Sequence, residues 1–238
     1  MVWDGPLVVV INKFSASASE IFAGAIQDYG RGIVVGDHAT HGKGTVQQLV
    51  ELGPKLLPID RPNWGALKMT IQKFYRPSGD STQNRGVLSD IELPFPTSHW
   101  DVGESDLEYA MEFDRIMPLQ HANYRHATAS LIQQLQQRSA ERLKNSEFFV
   151  NQHRKIEQYL EQKKNPMVTL NQEKFLAERK KLNTEKDQEA IFDDLQDDTR
   201  PVFPLSSKYP LAPYNEELIS IAVDYLELLG QNRVASTK

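Results

Sequence analysis

Three serines that alternate with alanines are the first residues of the sequence that could do chemistry. Ser15, Ser17 and Ser19 lie in the stretch N-K-F-S-A-S-A-S-E-I-F, between an apolar run and a pattern typical of a helix. A serine at the turn from a strand into a helix can act as a nucleophile, because the adjoining N–H groups can stabilise an oxyanion. The alternative is a helix cap, since Ser17 and Glu20 have the S-x-x-E spacing of a capping box.

A serine nucleophile needs a general base, and Lys43 is the unusual residue of the loop that follows. Gly42 and Gly44 flank it, so the backbone can approach it closely, and the alternation of a strand places Thr45 and Gln47 on its face. A lysine acts as a base when burial in an apolar pocket brings its pKa from about 10.4 to near 7 or 8. Gln47 would then orient the amine by a hydrogen bond. The alternative is an ordinary solvated lysine at a sheet edge.

Two histidines in the same loop are the other candidate bases. His38 and His41 are considered because histidine is the commonest general base. A histidine in a loop is more often part of the polar surface, so the sequence favours neither of them for catalysis.

The loop also has a partial likeness to a phosphate-binding loop. Gly36 and Gly42 enclose five residues where that motif has four, and Gly44 follows the lysine where Ser or Thr is needed. The residues after the lysine predict a strand, so no helix N-terminus would face a phosphate. The sequence therefore disfavours a nucleotide site.

Alternating strands and helices are expected to position these residues, which is an α/β organisation. Residues 6–11, P-L-V-V-V-I, predict a fully buried strand, and residues 17–29 predict a helix that ends at Gly30. The apolar face of that helix consists of Ile21, Phe22, Ala25 and Ile26. Further strands are predicted at residues 32–36, 45–52, 66–74 and 86–94.

The composition changes near residue 97, where we place a domain boundary. Residues 1–97 would form the α/β part and residues 98–238 a mostly helical C-terminal domain. Amphipathic helices are predicted at residues 105–116, 128–145, 146–165 and 215–230, the first with a capping box at Ser105 and Glu108. Residues 53–65 are a proline-punctuated excursion, and residues 193–213 an acidic, proline-rich linker.

Composition bounds the classes of function. The net charge of −5 argues weakly against nucleic-acid binding. The absence of cysteine excludes disulfides, thiol catalysis and cysteine-ligated zinc. No run approaches the roughly 18 apolar residues of a membrane span. The sequence opens almost directly on a strand, so we expect it to be a piece of a longer protein whose export signal lies upstream.

Residues 14–48, F-S-A-S-A-S-E through H-G-K-G-T-V-Q-Q, resemble the tail-specific proteases, also called C-terminal processing peptidases. Residues 67–87 and the S-D-I that follows resemble later strands of that family. The resemblance is close over residues 6–93, and the helical remainder is similar to the C-terminal extension of the long bacterial type. Two departures are a loop one residue longer and Leu88-Ser89 where the family usually has a proline.

The resemblance implies a serine endopeptidase with a Ser/Lys dyad and a core of the ClpP/crotonase kind. It implies Ser17 as nucleophile, Lys43 as base, Gln47 as the support of the lysine and the N–H of Ala18 as one oxyanion donor. It implies no cofactor and no metal, protein substrates with nonpolar C-termini, a periplasmic location, and a PDZ domain in the part of the protein that is missing here.

The first half of such a core, with the second oxyanion donor, would also lie upstream. We therefore expect this fragment to fold in part, to be inactive by itself, and to form a homodimer through an exposed sheet edge. The rival interpretation is a non-enzymatic helical adaptor in which the serines only cap a helix.

Overall fold

The computed structural model describes residues 3–52, 64–164, 167, 169–176 and 213–235, with side chains up to residue 231 in the last of these ranges. The chain forms two compact units. The first contains Met1–Glu92 and Trp100–Ile132, and the second contains Leu93–His99 and Gln133–Lys238. Because neither unit is one continuous segment, the boundary at residue 97 stays a prediction.

The elements of the first unit position the candidate site. In chain order they are β1 (Val8–Ile11), α1 (Ala18–Asp28), β2 (Ile33–Gly36), β3 (Thr45–Glu51), β4 (Ala66–Lys73) and β5 (Ile91–Glu92). Strands β1, β2 and β5 form a parallel sheet in the order β1-β2-β5, with Val8 opposite Ile33 and Val35 opposite Ile91. The strand–helix–strand order predicted for the start of the chain is confirmed.

Burial differs between the two apolar strands. All four residues of β2 are buried, as expected for a central strand. In β1 only Ile11 is buried, and 51% of the Val10 side chain is exposed, so the prediction of a fully buried first strand is wrong. The reason is position: within the described residues β1 pairs with β2 alone and lies at the edge of the sheet.

Helix α1 buries a different face from the one its apolar residues predict. Ile21 and Phe22 are 48% and 54% exposed, whereas Glu20, Ala23 and Gly24 are buried. Ala23 packs in the core cluster with Ile11, Val34 and Val87. Gly24 lies against the Arg76 side chain, and a Cβ added there would be 3.2 Å from it.

Strands β3 and β4 form a separate antiparallel hairpin with an irregularity between Val46 and Gln47. Both strands were predicted, and nearly all of their residues are exposed. The predicted excursion at residues 53–65 lies outside the described residues except for Trp64 and Gly65.

The helix predicted at residues 105–116 is wrong. Only a short 3₁₀ helix, Glu104–Asp106, forms there, and the chain then makes a turn at residues 108–109 and continues without a helix. Its backbone bonds across to a neighbouring loop instead of within a helix: the N–H of Ile116 donates to Gly79 O at 2.8 Å and that of Ser81 to Asp114 O at 3.1 Å. The predicted capping box therefore does not form, because Ser105 lies inside the short 3₁₀ helix.

The second unit is helical, as predicted. Helices α2 (Ala129–Asn145), α3 (Glu147–Lys164) and α4 (Pro213–Ala235) bury Leu135, Phe149, Ile156, Leu218, Ile221, Tyr225 and Leu228. Between α2 and α4, Arg142 binds the buried Glu217 at 2.8 Å and Asp224 at 2.6 Å. The predicted linker, apart from its last residue, lies outside the described residues. None of the helices in the described part of the chain has an apolar stretch long enough to cross a bilayer.

Candidate active site

Ser17 occupies a strained turn between β1 and α1. The turn is closed by hydrogen bonds between Asn12 and Ser15: the N–H of Ser15 donates to Asn12 O at 3.0 Å, and the N–H of Asn12 donates to Ser15 Oγ at 3.1 Å. Ser17 itself has φ 57° and ψ −110°, a conformation that non-glycine residues rarely adopt. Such conformations cost about 1–3 kcal/mol and are concentrated at functional sites. A sharp strand-to-helix turn of this kind is a known way to present a serine nucleophile.

Ala18 is the first residue of α1 and is exposed. The N–H of Ser19 donates to Ala16 O at 3.2 Å, and those of Glu20 and Ile21 donate to the Ser17 carbonyl at 2.9 and 3.1 Å. Within the described residues no acceptor pairs with the Ala18 N–H, which lies at the positive end of the helix. This placement suits an oxyanion donor, and that role stays a prediction.

Lys43 and Gln47 contact each other. Lys43 Nζ donates to Gln47 Oε1 at 3.0 Å, and the lysine side chain is half-buried while Gln47 is exposed. The lysine does not hydrogen-bond Ser17 in this structure. Gly42, just before it, has φ +95°, and a Cβ there would lie 3.0 Å from the Asn84 backbone, so the loop needs glycine at this position.

A buried carboxylate joins the serine turn to the lysine loop. Glu20 is 0% exposed. Its Oε2 accepts the N–H of Ser17 at 2.7 Å and that of Lys43 at 2.9 Å, and its Oε1 accepts the Thr40 hydroxyl and the Gly42 N–H, both at 2.6 Å. Burial raises the pKa of the Glu20 carboxyl, and these four hydrogen bonds act in the opposite direction.

Gln83 holds the other side of the same loop. It is fully buried, and its Oε1 accepts the N–H of Gly44 at 2.9 Å. Its Nε2 in turn donates to Glu104 Oε1 at 3.2 Å. The three consecutive N–H groups of Gly42, Lys43 and Gly44 are thus all bound by buried side chains.

The sequence predicted one part of this arrangement and missed the rest. The capping box made Glu20 a partner of the Ser17 backbone, and that hydrogen bond is present. Nothing in a local pattern pointed to the contacts of Glu20 with residues 40–43, or to Gln83, because these partners are more than 19 residues away in the chain. The sequence offered one signal of a special role for Glu20: its carboxylate lies on the same side of α1 as the small residues Ala23 and Gly24.

The histidines are placed differently from each other. The His38 ring pairs with Glu92 at 2.9 Å on the exposed surface. His41 lies closer to the site through its backbone, whose N–H donates to Ser15 O at 3.0 Å, and its ring Nδ1 is 3.8 Å from Glu104 Oε2. Neither ring hydrogen-bonds Ser17.

The described residues contain no group of three or more His, Asp or Glu side chains arranged to hold a metal ion. A strand follows Lys43, as predicted, and the loop therefore lacks the helix N-terminus of a phosphate-binding loop.

Comparison with known protein families shows which family the chain belongs to. Residues 97–227 match the family model described as the C-terminal domain of tail specific protease, and residues 1–93 match that of peptidase family S41. The chain belongs to the tail-specific protease family. The resemblance found in the serine and lysine motifs is therefore confirmed.

Individual relatives agree with this assignment. The tail-specific protease of Haemophilus influenzae is 48% identical over 114 residues, which are 48% of this chain and 16% of that protein. The carboxy-terminal-processing protease of Bartonella bacilliformis is 44% identical over 110 residues, 44% of this chain and 23% of that protein. A crystal structure of mature CPAF is 26% identical over 38% of this chain and 16% of its own, with a TM-score of 0.30, too low to compare folds.

The chain thus spans less than a quarter of the length of these two tail-specific and carboxy-terminal-processing proteases. The activity, substrates and partners of the whole enzymes are proposals for this chain.

Proposed function

We propose that the chain carries the Ser/Lys dyad of a serine endopeptidase of the tail-specific type, with Ser17 as nucleophile and Lys43 as general base. The observation that carries the proposal is the backbone of Ser17, a non-glycine residue held at φ 57° at the start of a helix. The lysine loop is attached to the same turn by a buried carboxylate, beside the backbone hydrogen bond from His41 to Ser15. An ordinary helix cap needs neither feature.

In the proposed reaction, neutral Lys43 Nζ takes the proton of Ser17 Oγ as the oxygen attacks a peptide carbonyl carbon. The carbonyl oxygen becomes an oxyanion, to which the Ala18 N–H donates. When the C–N bond breaks, the leaving amine takes the proton back from the lysine, and an acyl-enzyme remains. Water, activated by the lysine, then hydrolyses the ester and regenerates Ser17.

Gln47 has a supporting role in this scheme. Its amide oxygen accepts a hydrogen bond from Lys43 Nζ at 3.0 Å, which occupies one N–H of the amine and restricts the side chain. Since Nζ bonds Gln47 and not Ser17 in this structure, a rotation of the lysine side chain must precede proton transfer.

The resemblance supports the remaining parts of the proposal. These are a ClpP/crotonase-like core, protein substrates with nonpolar C-termini that a PDZ domain elsewhere in the enzyme captures, and a periplasmic location. Tested alone, the 238-residue chain is proposed to be inactive, because the half-buried Lys43 and the exposed Gln47 need further protein around them to exclude water.

The test is covalent labelling of the full-length protease with a fluorophosphonate, followed by digestion and mass spectrometry. The label should lie on Ser17, should disappear in Ser17→Ala and Lys43→Ala, and should persist in Ser19→Ala, the matched control from the same turn. A label on another serine, or none in an enzyme that degrades a test protein, would overturn the dyad. A protein with neither label nor protease activity would support the adaptor interpretation.

A further inference from the structure

The contacts of Glu20 go beyond what a helix cap requires. A capping box uses one carboxylate to accept one N–H at the start of its own helix. Glu20 accepts four hydrogen bonds, and three of their donors belong to the loop that contains Lys43. The fourth donor is the N–H of Ser17 itself.

We infer that Glu20 is a positioning residue of the proposed dyad, which sets the distance between the backbones of Ser17 and Lys43. Both of these N–H groups donate to the same carboxylate oxygen, Oε2. Two donors that share one acceptor atom cannot move apart by more than a fraction of an ångström without losing a bond. This inference rests on the proposed function, since positioning matters only if Ser17 and Lys43 react together.

The environment makes this link rigid. Glu20 is fully buried, so water cannot replace a broken bond, and an unpaired buried N–H or carboxylate oxygen is strongly unfavourable. The Thr40 hydroxyl, which donates to Oε1, also accepts the N–H of Val87 and so fixes the carboxylate against the core. Gln83 holds the far side of the loop without any contact to Ser17.

The chemistry of the site predicts that Glu20→Gln breaks the link. All four partners donate to the carboxylate, and an amide can accept at its oxygen only. Whichever way the glutamine turns, its NH₂ group faces at least one backbone N–H that needs an acceptor, because only the Thr40 hydroxyl can accept from it. The buried link between the two loops is then broken, and both loops lose its support. A displacement of about 1 Å at reacting groups can cost about a hundredfold in rate.

The experiment uses the full-length protease with Glu20→Gln, Ser17→Ala and a matched control, Asp90→Asn. Asp90 is a partly buried carboxylate of the same unit that accepts the N–H of Val34 at 2.7 Å and the Gln27 amide at 2.8 Å, and neither of these partners belongs to the serine turn or the lysine loop. We expect Glu20→Gln to lower kcat about a hundredfold with KM within about twofold. For Asp90→Asn, we expect a loss of melting temperature comparable to that of Glu20→Gln but a kcat within about threefold of the wild-type value.

Hydrogen exchange followed by mass spectrometry gives a readout that does not depend on activity. In Glu20→Gln the peptides that contain residues 15–21 and 40–46 should both exchange faster, whereas in Asp90→Asn neither should change. Faster exchange in only one of the two peptides, or kcat as in Asp90→Asn, would overturn the positioning role while the dyad stands. An active Ser17→Ala protein would instead overturn the proposed function.

A second pair of variants serves if Glu20→Gln does not fold. Thr40→Val keeps the shape of the side chain and removes one donor to Glu20, and Thr40→Ser keeps the hydroxyl. We expect a kcat about tenfold lower for Thr40→Val and near the wild-type value for Thr40→Ser. Equal kcat values for the two variants would contradict the inference.

Discussion

The backbone of Ser17 has a conformation that glycine adopts freely and other residues adopt at a cost. In urea denaturation of the chain, Ser17→Gly should therefore have a free energy of unfolding about 1 kcal/mol higher than Ser17→Ala. Ser19, inside α1, is the control: there glycine should be less stable than alanine, because it lacks helix propensity. The same order at both positions would show that the Ser17 backbone is not strained.

The members of a dyad act as a unit, which predicts a pattern of mutant rates in the full-length protease. Ser17→Ala and Lys43→Ala should each abolish cleavage of a test protein, and the double variant should be no slower. Lys43→Arg should also be inactive, because a guanidinium does not deprotonate at working pH. Gln47→Ala should be impaired to a smaller degree. Normal activity of Lys43→Arg would rule out the general-base role.

For single residues, the sequence was informative where a reactive residue type stands in a motif of characteristic spacing. The positions of Ser17, Lys43 and Gln47 followed from two motifs, and the contact between the last two is present in the structure. The position of Glu20 between the two loops could not be predicted. A capping pattern describes four neighbouring residues, and the fold alone brings residues 40–43 to the same carboxylate.

At the scale of the helices and strands, an ion pair between Asp28 and Arg76 fixes the C-terminal end of α1. Asp28 binds the Arg76 guanidinium and accepts the N–H of Ser78 at 3.0 Å. Burial by itself would raise the pKa of the Asp28 carboxyl, but these two partners outweigh it and lower the pKa below the usual value of 3.8.

This lowered pKa predicts how stability depends on pH. A carboxyl with a depressed folded-state pKa contributes stability that is present above the unfolded-state pKa and is lost as the pH falls through the folded-state value. The loss of unfolding free energy in Asp28→Asn should thus be largest at about pH 6 and should shrink toward pH 3, as measured by urea denaturation.

Asp90→Asn is the control, because the pKa of Asp90 is shifted in the opposite direction from that of Asp28. Burial raises the pKa of Asp90, against the hydrogen bonds from Val34 and Gln27. The stability that this group contributes is therefore present below the unfolded-state pKa and is lost as the pH rises through the folded-state value. The same pH trend in both variants would contradict the assignment of the Asp28–Arg76 pair.

The elements themselves were predictable to the extent that their patterns are local. The apolar runs of β1 and β2 and the amphipathic helices of the second unit formed as expected. Residues 105–116 have an equally helical pattern, yet the N–H of Ile116 donates to Gly79 O and the carbonyl of Asp114 accepts the N–H of Ser81. Tertiary hydrogen bonds of this kind override helix propensity, and no sequence window of that length contains them.

At the scale of the whole molecule, the open edge at β1 predicts self-association of the 238-residue chain. Within the described residues β1 pairs on one side only, and Val10 is half-exposed at its centre. Light scattering after size exclusion should show a dimer, and Val10→Lys should shift it to monomer, because charge protects edge strands. Leu88→Lys, at an equally exposed site away from β1, should remain dimeric. A wild-type monomer would contradict this prediction.

Helix α1 presents two large apolar side chains, Ile21 and Phe22, close to its first residue. Ile21 follows Ser17 by four positions, which is about 6 Å along the helix axis. Any surface that covers these two side chains, whether from the rest of the polypeptide or from an incoming peptide, also covers the start of the helix that follows Ser17. Contact and loss of water would then occur together, so that the same encounter that brings a peptide would also dehydrate the proposed nucleophile.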